Sequence, residues 1–228
     1  MGYLVYHGHS AFELGLDGKK ILIDPWITNP KSVTPLEKIN DVDIIVLTHG
    51  HDDHIGDAVE IMKRNSKSKL VAIFELANYI AEKIGDESRV VGGNMGGPMV
   101  VDGIKIALTP ANHSSSGIGV ATGAIIISKE GKVYHAGDTG IMSEMELIGD
   151  IYKPDIALLP IGGHFTMDHN EAAKAVELLK PKVAIPMHYG TFPMLYGDPE
   201  EFRRIVTSRG LETKVVILNP GERYDFIF

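Results

Sequence analysis

Residues 47–57 read LTHGHDDHIGD, three histidines and three aspartates in eleven positions, directly after the apolar run of "DVDIIV". Imidazoles and carboxylates are costly to bury unless something pairs with them. At the end of a strand, residues i and i+2 point the same way, so His49 and His51 can share one cation. A turn into a helix then aims Asp53 and His54 at a second point close by. Histidine nitrogen and carboxylate oxygen suit zinc first, with manganese, iron, cobalt and nickel as alternatives. The chain has no cysteine, which excludes thiolate ligands, disulfides and a cysteine nucleophile.

The elements that must position these groups are short strands and amphipathic helices. "YLVYH", "SAFELGL", "KKILIDP" and "DVDIIVLTH" read as strands in the first part, and "GVATGAIIIS", "KVYHAGDT", "DIALLPIGG", "KVAIPMH", "KVVILN" and "ERYDFIF" in the second. Helical spacing of Ile55, Ala58, Val59 and Met62 predicts a helix over 54–65, and a second runs from Phe74 to Ile84 and stops at Gly85. Asp168 and Glu171 have capping-box spacing ahead of Ala172, Ala173, Val176 and Leu179. Asp198, Pro199 and Glu201 open another helix, which Gly210 closes. "GGNMGGP" (92–98) lacks the lysine and the helix start of a phosphate loop.

The two halves overlay at an offset of about 113 residues: 18–25 on 131–138, 43–51 on 155–163, and 69–73 on 182–186. Either all strand–helix units look alike, or the chain holds two similar β-rich halves with helices outside. The second reading gives an α/β (α+β) fold, a four-layer αββα sandwich. No linker divides the halves, so residues 1–228 are expected to form one domain.

A formal net charge of −8 disfavours a broad surface for long nucleic acid. The N-terminus lacks the basic start and apolar core of a signal peptide, and no apolar run approaches the roughly 18 residues of a membrane span. A cytoplasmic location is expected.

Taken together, "LIDP" (22–25), "THGHDDHIGD" (48–57), "PANHSS" (110–115), "YHAGDT" (134–139) and "PMHYGTF" (186–192) resemble the metallo-β-lactamase superfamily along the whole chain. "YHGHS", "ELAN" and "IGGHFTM" are similar to a branch of small cytosolic metal-dependent hydrolases, whose neighbours include a lactonase for a sugar-acid phosphate. The resemblance implies two divalent metal ions per chain. His49, His51 and His113 would hold the first, Asp53, His54 and His188 the second, and Asp138 would bridge them. It further implies that a hydroxide shared by the metals attacks an ester-like bond (lactone, thioester or amide) in a small molecule, with Asp53 and Asp138 in the catalytic group. A phosphodiesterase or nuclease acting on a short or cyclic phosphodiester is the alternative, a non-catalytic metal-binding scaffold a third reading. Relatives often self-associate, so a homo-oligomer is expected.

Other residues admit two readings each. His164, at the end of a strand that should abut the site, could donate a proton to a leaving group or an oxyanion, or be a loop histidine. His9 could line the pocket; with His7 it has ligand spacing, but the pair reads better as support. His135 belongs on the strand face away from the metals or behind a ligand. Asp24 would hydrogen-bond a ligand histidine and fix its tautomer, or merely turn the chain before Pro25. Asp52 and His169 read as surface. "NHSSSG" and "YGTF" lack the strand–elbow–helix pattern of a serine nucleophile. Residues 27–40, 111–120 and 189–198 are expected at the pocket rim.

Overall fold

Alternation along the buried strands sorts the core into layers. Residues 1–228 are described by a computed structural model, with fourteen strands and six α-helices. The strands are β1 Gly2–Tyr6, β2 Phe12–Leu16, β3 Lys19–Ile23, β4 Ile44–Val46, β5 Lys69–Ile73, β6 Val90–Gly93, β7 Met99–Val101, β8 Ile104–Pro110, β9 Thr122–Ile127, β10 Lys132–His135, β11 Ile156–Pro160, β12 Val183–Met187, β13 Lys214–Val215 and β14 Arg223–Phe226. The helices are α1 Asp52–Ile55, α2 Ala58–Arg64, α3 Phe74–Ile84, α4 Glu144–Tyr152, α5 His169–Leu179 and α6 Pro199–Ser208.

The strands form two seven-stranded sheets, ordered β14-β1-β2-β3-β4-β5-β6 and β13-β12-β11-β10-β9-β8-β7. In β11, Ile156 and Leu158 join the core that also holds the first sheet, whereas Ala157 and Leu159 pack under α4, α5 and α6. Leu76, Ala77 and Ile80 of α3 and Ile61 and Met62 of α2 close the opposite side of the first sheet. This is the expected four-layer αββα sandwich. Burying one Val, Leu or Ile side chain contributes about 1.5–3 kcal/mol, so the paired sheets are a stiff platform for the loops at their ends. No helix is long and apolar enough to cross a membrane.

The halves are alike in pairing as well as in sequence. β1-β2-β3 and β8-β9-β10 are antiparallel, and β3-β4-β5-β6 and β10-β11-β12-β13 are parallel. The same bonds recur: Lys20 N donates to Asp43 Oδ2 at 2.9 Å, and Lys132 N donates to Asp155 Oδ2 at 2.8 Å. These directions make β1, β3 and β4 parallel to one another, and β8, β10 and β12 likewise. Their C-terminal loops therefore leave the same end of each sheet, the usual place for a site in such folds.

Helix α3 ends where expected, with Gly85 left-handed (φ 71°). Asp168 and Glu171 form the complete capping box, and Asp198 caps α6. The expected helix over 54–65 is broken into α1 and α2 at Gly56, whose φ of 47° lies in the left-handed range. A Cβ there would sit 2.5 Å from Trp26 Cα, so the break lets the Trp26 backbone pass close by. Helix α4 is unanticipated. Its Ser143 side chain makes no capping bond to the helix backbone, and Leu147 and Ile151 face solvent, which blurs the apolar spacing.

Candidate metal centre

Hydrogen bonds fix which nitrogen of each histidine is free. Thr48 Oγ1 donates to Asp24 Oδ2 (2.6 Å) and so accepts from His49 Nδ1 (3.0 Å), which leaves His49 Nε2 as a lone pair. His51 Nε2 is hydrogen-bonded with Ser114 Oγ (3.2 Å), which turns His51 Nδ1 toward His49. His49 Nε2 and His51 Nδ1 lie 3.0 Å apart. Lone pairs so close repel unless a cation or proton lies between them. One nitrogen of His113, from the loop after β8, joins them within 4.8 Å.

The second group forms around His54. Its Nδ1 donates to Asp24 Oδ2 at 2.7 Å, so its Nε2 faces inward. Asp24 also accepts from Thr48 N at 2.8 Å and is fully buried. Asp138, in the loop after β10, brings its Oδ2 to 3.0 Å from His188 Nε2, 3.3 Å from His54 Nε2 and 3.5 Å from His113 Nε2. It thus touches both groups. Yet His54 Nε2, both ring nitrogens of His188 and Asp138 Oδ1 find no hydrogen-bond partner among the protein's own atoms. Buried polar atoms are nearly always paired. Of these four, His54 Nε2 and His188 Nε2 both turn toward Asp138 without a well-formed hydrogen bond, and such a set of nitrogen and oxygen donors fits divalent cations.

His9 enters this group. Its Nε2 lies 2.9 Å from Asp53 Oδ2 and its Nδ1 2.9 Å from Thr191 Oγ1. Its backbone is left-handed (φ 54°), and its carbonyl accepts from His188 N at 2.8 Å. His9 thereby steadies Asp53 with its ring and His188 with its backbone.

The electrostatics are those of a carboxylate–imidazole cage. Burial opposes charge on His54, but the carboxylates of Asp138 and Asp24 outweigh it and hold its pKa well above the ordinary value. Burial likewise opposes charge on Asp138, which His188 and His54 nonetheless hold well below the usual carboxylate range. Desolvation pushes His9 down to about 4 despite its bond to Asp53, so its ring is neutral near pH 7. Burial also depresses His49 and His113.

The remaining candidates lie apart. His135 is buried with both nitrogens engaged: Nε2 donates to Ser10 O (2.9 Å) and Nδ1 accepts from Gly137 N (3.1 Å). It ties the Asp138 loop to the β1–β2 loop and faces no cation. Asp52 is exposed in α1. The structure does not bring His164 into the cluster. Gly163 and His164 both have positive φ (68° and 60°), His164 is exposed, and its ring packs only on Phe165. Phe165, with Phe192, lines the cavity of about 370 Å³ over the cluster. Sequence reasoning did not single out Phe165, Phe192, Trp26, Ser114 or Thr191. Their position in or beside the quoted motifs was the available signal.

Gly162 holds His188 in place by having no side chain, since a Cβ there would lie 2.1 Å from the His188 carbonyl oxygen. Gly162→Ala is expected to destabilise the protein by about 1–3 kcal/mol, the range for overpacking, and to weaken metal retention with it. Urea unfolding with and without chelator checks both effects.

A family model described as "Beta-lactamase superfamily domain" matches residues 19–189. A metal-dependent hydrolase of Aeropyrum pernix is 56% identical over 241 residues, spanning 100% of this chain and 99% of its own. A metal-dependent hydrolase of Pyrococcus abyssi is 54% identical over 226 residues, covering 96% of each chain. The structure of Igni18, a metallo hydrolase from Ignicoccus hospitalis, superposes with a TM-score of 0.92 at 50% identity and 99% coverage of both chains.

Proposed function

The chain belongs to the β-lactamase superfamily as a metal-dependent hydrolase, and from that premise we propose that it cleaves an ester-like bond (lactone, thioester or amide) in a small molecule. His49, His51 and His113 would hold one divalent cation and Asp53, His54 and His188 a second, with Asp138 between them. Zinc suits this donor set first. The observation that carries the reading is the convergence of unpaired buried donors on Asp138. Bound divalent cations supply Lewis-acid polarisation of the scissile group and acidify water so that it attacks near neutral pH.

The chain's own residues set the frame for that chemistry. Asp24 and Thr48 hold His54 and His49 in single tautomers, a support that tunes ligand basicity. Asp53 faces the cavity, part-exposed and bonded to His9. Phe165 and Phe192 are the apolar residues among those lining the cavity.

The test is metal analysis of purified protein, then turnover of a lactone, a thioester, a β-lactam and bis-p-nitrophenyl phosphate. The expected result is two metals per chain, hydrolysis of a lactone or thioester, and loss of that activity on chelation with recovery on reloading. Fewer than one metal per chain after reloading would overturn the reading.

A further inference from the structure

The walls of the cavity carry information about the substrate that the metal cluster does not. None of the residues lining it is lysine or arginine. Lys31 is near, with its Nζ about 3.9 Å from where a Cβ on Gly190 would lie, in the loop that carries His188 and Phe192, but it is not one of the lining residues.

What the rim offers instead is aromatic surface. Phe165 is 50% exposed at the cavity, and Phe192 lines it from the opposite loop. Phe192 stacks on Trp26 with ring centroids 6.0 Å apart and planes 26° from parallel. Tyr196, 61% exposed, lies over Gly163, so the loop of Phe192 packs on the loop of Phe165. Large apolar side chains left in water beside a polar cluster mark a ligand-binding wall.

We propose that the substrate is an uncharged molecule whose apolar tail or aryl group lies along Phe165 and Phe192, the latter backed by Trp26, while its scissile bond meets the metal cluster. The proposal rests on the metal-centre reading above and deepens it. A phosphorylated or carboxylated substrate would find no side-chain cation on this wall.

Three hydroxamates that share a metal-chelating head separate the possibilities without requiring turnover. Metal-loaded protein is titrated calorimetrically with acetohydroxamate, octanohydroxamate and the eight-carbon hydroxamate that ends in a carboxylate. Trp26 is the only tryptophan of the chain, so its fluorescence reports whether the tail reaches the wall. Octanohydroxamate is expected to bind at least roughly tenfold more tightly than either companion, the scale of a partly buried alkyl tail. Phe165→Ser should cut that advantage to below about threefold, as expected when the wall is removed. Equal affinity for the three, preference for the carboxylate, or an advantage that survives in Phe165→Ser would overturn the apolar wall and leave the metal centre standing. A protein without metal, or one that binds none of the three, would overturn both.

Discussion

Asp138→Ala is expected to empty the centre of metal and lower hydrolysis by at least about 10³-fold, the scale of losing a preorganised electrostatic group at a reacting centre. The reason lies in its contacts. One oxygen of Asp138 lies within 3.5 Å of nitrogens from His54, His113 and His188, and it is the one carboxylate that touches both ligand groups. Without it, imidazoles face one another with no anion between them. The same loss should lower the pKa of His54, because Asp138 is the larger of the two carboxylate contributions that hold it up. Metal analysis, kinetics and NMR titration of the metal-free variant measure the three effects. A variant that keeps two metals and activity within tenfold of the parent would show that Asp138 does not join the two groups.

The second large effect is expected from Asp24, which touches no substrate. Asp24→Ala removes the acceptor of Thr48 N, Thr48 Oγ1 and His54 Nδ1 at once, all in a fully buried setting. Breaking one side of a buried pair costs about 3–5 kcal/mol. A second consequence runs through Thr48. Freed from Asp24, its hydroxyl can donate to His49 Nδ1, and the proton of His49 then moves to the nitrogen that should stay bare. Metal affinity should fall about 10–100-fold, as for other partners behind a ligand. The pH dependence has a definite sign. Burial opposes charge on Asp24, but His54 holds its pKa below the ordinary value. Its contribution is therefore present above about pH 4 and is lost as pH falls through the depressed folded value. Asp24→Ala should be less stable at pH 7 and flatter in acid. Urea midpoints across pH 3–7 decide it: a parallel acid limb in both proteins would assign the acid sensitivity elsewhere.

Much of the fold could be read from local signals. Gly85 and the pair Asp168–Glu171 mark helix ends through backbone chemistry that operates whatever packs above. The repeat was readable because Asp43 and Asp155 recur ahead of matching apolar strands, and each accepts from a backbone N–H of the neighbouring strand, Lys20 and Lys132. The break at Gly56 was not, because its cause is Trp26, thirty residues earlier, passing over it. Helix α4 escaped for the opposite reason: its outward Leu147 and Ile151 remove the polar face that periodicity needs. At the centre, ligand types at fixed spacing pointed to metal. The rim was legible in part: His113, Ser114 and Phe192 fall in the expected stretches 111–120 and 189–198, whereas one left-handed turn at Gly163–His164 brings Phe165, not His164, to the cavity.

Strand β14 pairs with β1, Gly2 opposite Phe226. The first sheet therefore gains its outer strand from the opposite end of the sequence. The candidate ligands are spread in the same way, from His49 to His188. A ribosome emits such a chain from one end, so early stretches must wait for late ones before either sheet edge or cluster is whole. Contacts between distant parts of a sequence form slowly because long loops must close first. Timing follows from this architecture: the ligand set is whole only once distant strands have been gathered, so a metal would act as a latch on a nearly finished shape rather than as a seed for it.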